Sequence, residues 1–360
     1  PFAYGAGHVV PNSAVDPGLV YNAGFLDWFG FLCGTGQLVS PSCPFLEIDP
    51  SDLNYPSIAI GELAGEQTVT RTVTNVGVAG TYEVSVDAPF GVDVVVSPAS
   101  LTLASGESAS YSVTFTTNGS ATIGAYTNGS LTWSHGPHNV TSPLVVKPVQ
   151  LAAPEELASD GTDNTLSFDV TFGYAGDYTA AAHGLEPATT QDGNVVDDPA
   201  NDINIALETG VGVTFEFVSV PAGTAFTRFS LFDEYTDGDD DLDLYVFYQT
   251  GAFVGSSGSA TSAEQVDVLF PAPGTYIVAV HGWQTDGPDA NYTLFDWSVS
   301  ATPGGSLSLD SAPASATLGA TESIDVSWAG LGVDMKYLGA VSHSDAGGVF
   351  GLTLLNVWTD

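Results

Sequence analysis

Between Asp237 and Asp243 the chain reads Asp-Gly-Asp-Asp-Asp-Leu-Asp, a concentration of carboxylates with little but glycine between them. Alternate carboxylates at Asp237, Asp239, Asp241 and Asp243, with Gly238 free to turn, suit a hard cation such as Ca2+, which takes roughly six to eight oxygen ligands. The spacing is not that of an EF-hand, because the loop glycine and the closing glutamate are absent. A solvated acidic turn ahead of a strand explains the same residues equally well. Asp197, Asp198 and Asp202 form a second cluster that reads as surface. His135 and His138 flank Gly136-Pro137, and two histidines do not make a zinc site, so an exposed turn is expected. Trp283, close to Asp286, Asp289 and Tyr292, reads as a core aromatic in preference to a sugar- or peptide-binding edge. Asn118, Asn128, Asn139 and Asn291 lie in Asn-x-Ser/Thr sequons, which mark surface loops where the source glycosylates.

Covalent catalysis by a serine needs a base and an orienting carboxylate, and no Gly-x-Ser-x-Gly elbow occurs in the 360 residues. Cys33 and Cys43 are the two cysteines. The short loop between them, with Gly34, Gly36, Pro41 and Ser42, favours a disulfide contributing on the order of 2–3 kcal/mol over two free thiols.

Charge narrows the partners. The chain carries 42 acidic residues against 4 basic ones, a formal net charge of -38. Self-repulsion of this size weakens the compact state at low salt, and counterions screen it over about 10 Å at 0.1 M. Arg71, Lys147, Arg228 and Lys336 are too few and too scattered to grip nucleic acid or an anionic membrane. No apolar run reaches the roughly 20 residues of a membrane-spanning helix. The sequence opens at Pro1 with neither Met nor a charged leader, and it reads as truncated.

The elements that must position these residues are mostly strands. Val, Thr, Tyr and Phe are frequent, and 41 Gly and 21 Pro punctuate the apolar runs, so the fold class is mainly β, with several cores expected in a chain of this length. Residues 1–50 are the exception. Phe25, Leu26, Trp28, Phe29 and Leu32 fall at helical spacing, with Asn22 placed to cap the start and Gly34 to end the helix in the left-handed conformation. About fifty such residues cannot build a core alone and must dock on something else. From 51 to 149 apolar residues alternate in short runs (Tyr82, Val84, Val86; Tyr111, Val113, Phe115), the signature of an antiparallel sandwich. A linker follows, and a second sandwich is expected over 157–302 from strands such as 165–172, 177–183, 203–208, 213–220, 226–232, 242–247, 265–270, 276–281 and 292–299. Pro303-Gly304-Gly305 reads as another linker, and 304–360 as a small Ig-like end module.

The strings "YGAGHVVPNSAVDPGLVY" and "DWFGFLCG" are similar, nearly position for position, to the end of the catalytic domain of subtilisin-like serine proteases. "TRTVTNVG", "GTYEVSVDAPFGVDVVVSP", "SYSVTF" and "NGSLTWSHGPHNVTSPLVV" resemble the fibronectin type III-like domain that follows it there. "DLDLYVF" and "GTYIVAVHGWQTDGPDANYTLFDWSV" resemble the bacterial pre-peptidase C-terminal domain. The resemblance implies tandem antiparallel β-sandwiches preceded by a short α-containing remnant of an α/β subtilase catalytic domain. It implies an upstream catalytic domain as partner, protein or peptide substrates for the parent enzyme, and an extracellular, secreted or cell-surface location. His8 is not the family's catalytic histidine, and the Gly-Thr-Ser-Met-Ala context of the nucleophile is absent, so the chain is expected to be inactive alone. A stand-alone extracellular adhesive or ligand-binding protein is the competing expectation. Phe29-Gly30 departs from the family's bulkier helix formers.

Overall fold

The computed structural model describes residues 2–359. It comprises two compact units, one of Pro1–Ala153, Val170–Asp177 and Ser315–Glu322, the other of Pro154–Asp169, Tyr178–Ala314 and Ser323–Asp360.

In the first unit the Val/Thr alternation becomes a sandwich. One sheet has the order Leu19–Tyr21, Glu66–Asn75, Ser108–Thr117, Val92–Ser97, and the other Ile58–Leu63, His138–Pro148, Thr127–His135, Gly80–Asp87, Ser100–Leu103. Strand periodicity sends Val69, Val73, Tyr111, Val113 and Phe115 inward, where they meet Trp133 and Leu131 from the other sheet. Arg71 and Asn75 share that buried face. A buried cation is costly unless its donors are used, and the Arg71 guanidinium donates to the carbonyls of Tyr55 (2.8 Å), Thr70 (2.9 Å) and Ser57 (3.2 Å). The Asp52–Asn54 stretch continues the sheet with side chains. Asp52 Oδ1 accepts from the Thr70 amide (2.7 Å), while Asn54 accepts from the Thr72 amide (2.8 Å) and donates to the Thr72 carbonyl (3.0 Å).

Residues 1–50 are not wholly separate from this sandwich, since Leu19–Tyr21 is its edge strand and Leu19 is in its core. The expected helix runs from Phe25 to Gly34, and its start is held differently from the sequence reading. Gly24 is the N-cap, and Asp27 reaches back to accept from the Gly24 amide (2.6 Å). The left-handed residue beyond its end is Gly36 (φ +70°), not Gly34. Gly30 and Gly34 serve close packing: a Cβ on Gly30 would overlap the Leu46 carbonyl oxygen, and one on Gly34 the Ile48 carbonyl oxygen. The Cys33–Cys43 disulfide ties the same face to that segment, with Cα atoms 5.3 Å apart. Because the helix packs through its small residues, Phe25, Leu26, Trp28 and Leu32 stay exposed.

The second unit corrects the expected domain order. Residues 304–360 do not stand as a separate module, because their strands pair with earlier ones as well as with each other. Gly348–Trp358 runs parallel to Glu156–Asp160 and antiparallel to Lys336–Asp345, which in turn pairs with Thr179–Pro187. Glu156–Asp160, Gly348–Trp358, Lys336–Asp345 and Thr179–Pro187 thus form one four-stranded host sheet, drawn from both sides of the insert in sequence. Fifty-odd residues bury too little surface to stand alone, and the earlier strands complete their sheets.

Between the two halves of the host lies an inserted sandwich. Its sheets are Thr189–Val196, Asp289–Ser300, Thr224–Leu231, Glu264–Leu269 and Val213–Val220, Gly274–Gln284, Asp241–Tyr248, Phe253–Ser257. Phe229, Leu231, Leu244, Val246, Val278 and Leu294 are among the residues filling its core. Ile203–Thr209, expected as a strand, is a helix. Asp202 caps it by accepting from the Asn204 amide (2.9 Å), and Gly210 ends it at φ +73°, so local capping outweighs the short apolar alternation.

Host and insert meet across Phe226, Phe295, Trp297, Leu338, Ala340 and Leu354. Two of the four cations of the chain are buried at this junction. Arg228 makes paired hydrogen bonds to Glu156 (2.8 and 2.7 Å) and to Asp267 (2.8 and 2.9 Å). Burial pulls its pKa down, and the bonds to Glu156 and Asp267 more than offset this, so the guanidinium is held firmly charged. Lys336 lies under the rings of Trp358, Phe232 and Tyr235 and donates to Glu234 (2.8 Å).

Candidate functional site

The carboxylates from 237 to 243 lie at one end of the inserted sandwich, where a tight turn feeds the strand Asp241–Tyr248. The carboxylates of Asp237, Asp239, Asp241 and Asp243 do not gather as one set in this structure. Asp237 is exposed and accepts from the backbone and side-chain nitrogens of Asn291 (2.7 and 2.5 Å), which lowers its pKa. Asp239 offers its backbone amide to Asp286 (3.2 Å). Asp243 is buried and turned toward His281 and Tyr245. Among the described residues no group of three or more His, Cys, Asp or Glu side chains converges to hold a metal ion. Asp240 is 6% exposed, and its Oδ1 accepts from the Asp286 amide (2.9 Å). Asp240 Oδ2 and Asp241 Oδ1 are buried without hydrogen-bond partners, and burial raises both pKa values. Both side chains line a cleft of about 370 Å³ with Asp233, Asp239, Thr261 and Gln284.

One buried charged constellation here was not legible as such in the sequence. His281 is fully buried, with Nε2 2.9 Å from Asp198 Oδ2 and Nδ1 3.4 Å from Asp243 Oδ2. Only the imidazolium donates from both nitrogens, and two carboxylates are its partners. Burial lowers the His281 pKa, but hydrogen bonding to Asp243 and Asp198 outweighs burial and raises it. Burial likewise pushes Asp198 up, yet His281 and the amides of Asp202 and Ala200 bring it below its usual value. Asp198, read from sequence as surface, is 2% exposed. It pins the 197–202 loop, and with it the helix Ile203–Thr209, to the sheet.

Other expectations resolve plainly. Trp283 is not core: it is 38% exposed and stands edge-on to His281, ring centroids 5.9 Å apart. His135 contacts the Thr81 carbonyl (3.0 Å) and His138 lies 3.6 Å from Asp16, so the two do not share a ligand. His183 Nε2 is 2.9 Å from Ser342 Oγ, but both side chains are buried and Nδ1 faces the Ser300 carbonyl, not a carboxylate. Burial lowers the His183 pKa, and this pair packs the core. His343, pushed down to about 4 by burial, is bonded to Tyr178 and Thr353. Neither His281, with both ring nitrogens on carboxylates, nor His183 or His343 is placed as the base of an open active site.

With this geometry in hand, the comparisons define a class. Residues 52–146 match the family described as fibronectin type-III domain, and residues 213–282 match the bacterial pre-peptidase C-terminal domain, the heart of the inserted sandwich. The relatives are more particular. The subtilisin-like protease SBT5.3 of Arabidopsis thaliana is 42% identical over 158 residues, which is 41% of this chain and 20% of that protein. The subtilisin-like protease SBT3.3 of the same plant is 44% identical over 158 residues, again 41% of this chain and 20% of its own length. The pre-peptidase C-terminal domain of a Bacillus anthracis collagenase covers 40% of this chain and 96% of its own, at 12% identity and a TM-score of 0.22. About two fifths of the chain is thus similar to subtilisin-like proteases, and its two matched segments are similar to a fibronectin type-III domain and to a bacterial pre-peptidase C-terminal domain. The chain spans about a fifth of the length of the curated relatives it matches.

Proposed function

We propose that this chain is the non-catalytic C-terminal support of a secreted subtilisin-like serine endopeptidase, and that residues 2–45 are the seat of its catalytic domain. The observation that carries this is the apolar face those residues leave uncovered: Phe25 is 78%, Leu26 64%, Val39 96% and Phe45 85% exposed. Large apolar side chains exposed together in so short a stretch mark a contact left to be made, and the same residues resemble the closing segment of a subtilase catalytic domain. The helix is braced from behind by Gly30, Gly34 and the disulfide, and the edge strand Leu19–Tyr21 fixes it to the fibronectin type-III sandwich. Support is therefore rigid: what seats on the helix is connected through Asp52 and Asn54 to a packed sheet.

The test is thermal inactivation of the intact protease. Phe25→Ser with Phe45→Ser lowers the temperature of half-inactivation, while circular dichroism of the isolated 360-residue variant keeps its β signal. An unchanged inactivation temperature contradicts the support role.

A further inference from the structure

We propose that the outer face of the sheet Val213–Val220, Gly274–Gln284, Asp241–Tyr248, Phe253–Ser257 is a docking platform for an extended basic polypeptide segment, a role beyond seating a catalytic domain. Strand pairing places Phe217 opposite Ile277, Ile277 opposite Phe247, and Phe247 opposite Phe253, so one apolar row crosses all four strands. The next row carries Phe215, Ala279 and Tyr245. Phe217 is 63% and Phe253 61% exposed, and the Phe247 and Phe253 rings meet edge to face with centroids 5.8 Å apart. The row after that, Val213, His281 and Asp243, is closed off by the Asp198 loop and the helix Ile203–Thr209, which packs on Val213 and Ala279 through Ala206. Ala279 is covered by that helix, whereas Phe217 and Phe253 leave the far end of the face aromatic and open.

Charge selects the occupant. Residues 189–300 hold eighteen Asp and Glu, and Arg228, engaged at the host junction, is their one Lys or Arg. Tyr245 sits where the platform meets this charge. Its hydroxyl donates toward Asp243 Oδ2 (3.4 Å), and its pKa is pushed up to about 12 by burial first and by Asp243, Asp202 and Glu264 after it. A second copy of a chain with net charge -38 is repelled from such a face. An arginine or lysine is drawn to it, with its stem on the phenylalanine rings and its charge over their faces or toward Asp202. Phenylalanine rows in register across strands offer period-two pockets that suit an extended backbone.

The experiment titrates the 360-residue chain with a synthetic peptide of repeating Pro-Arg-Phe, and with the same peptide carrying Glu in place of Arg, by calorimetry at low and high salt. The Arg peptide binds, the Glu peptide does not, and Phe217→Ser with Phe253→Ser weakens binding about tenfold or more. Asp202→Asn weakens it less and reduces the salt dependence. Both phenylalanines are exposed, so an unchanged melting temperature certifies the fold of the double variant. Equal binding of the Glu peptide, or binding indifferent to the loss of both phenylalanines, overturns the proposal, as does no binding of the Arg peptide at all. These outcomes do not bear on the inactivation temperature that tests the support role.

Discussion

The ammonium of Lys336 lies 3.4 Å from the centre of the Trp358 ring, with Phe232 and Tyr235 closing around it at 4.7 and 5.3 Å. Lys336 and Trp358 belong to neighbouring strands of the host sheet, whereas Phe232, Tyr235 and the acceptor Glu234 come from the insert. A chain almost without cations has placed this one where it fastens two folded parts. Lys336→Met removes the cation–π contact, and a loss of about 1–2 kcal/mol is expected, since Glu234 is exposed enough to be solvated again. Trp358→Ala costs about 3–5 kcal/mol, and a double-mutant cycle in urea gives a positive coupling between them. Purely additive effects would show that the ring and the ammonium do not interact.

Arg228 is the second fastening, and its carboxylates are less exposed than Glu234. Arg228→Met leaves Glu156 and Asp267 as neighbouring like charges that are exposed enough to be solvated again, for a loss on the order of 1–2 kcal/mol. Adding Glu156→Gln and Asp267→Asn to that variant restores much of the loss. Denaturant midpoints of the single and triple variants measure the difference, and equal midpoints would mean the charges do not matter there.

The His281 clasp has a window of stability set by both partners. The raised His281 pKa adds stability that is fully present below the unfolded value of 6.5 and is lost as pH rises through the higher folded value. The lowered Asp198 pKa adds stability that is present above 3.8 and is lost as pH falls through the folded value. His281→Gln therefore flattens the alkaline limb of melting temperature against pH and lowers its plateau. A variant profile that parallels the parent on the alkaline side would remove His281 from that role.

Asp296 works in the opposite sense. It is 7% exposed, its Oδ2 has no hydrogen-bond partner, and burial pushes its pKa up to about 6. Its contribution is present below 3.8 and is lost as pH rises through about 6, so at neutral pH a charged carboxylate strains the fold. Asp296→Asn raises stability on the order of 2 kcal/mol above neutral pH and has little effect in acid. Chemical denaturation at the two pH values checks it, and a uniform loss would contradict the buried-charge explanation.

How much of this could be read in the sequence depends on how local each determinant is. The sandwich of Glu66–Asn75 and Ser108–Thr117 was legible because period-two alternation fixes which face is buried, and both strands carry it without interruption. The Ile203–Thr209 helix was missed because its apolar residues are too few to show a period, although Asp202 and Gly210 carried the start and stop signals. The insertion was not legible: Glu156–Asp160 finds its partner in Gly348–Trp358 across the whole inserted sandwich, and no local pattern encodes that pairing. The Asp198–His281 clasp joins residues 83 apart in sequence, so Asp198 could only look like surface charge. Gly30 looked like a weak helix residue, and its reason is the backbone of Leu46 pressed against it.

The support role is tested by amide hydrogen exchange across the helix Phe25–Gly34, compared between the 360-residue chain and the intact protease that contains it. Phe25, Leu26, Trp28 and Leu32 of that helix are exposed, and on the proposed support role a seated catalytic domain covers them. Slower exchange in the intact protease, confined to residues 25–45 and lost on Phe25→Ser with Phe45→Ser, is the expected result. Identical exchange in the two proteins would mean that nothing seats there.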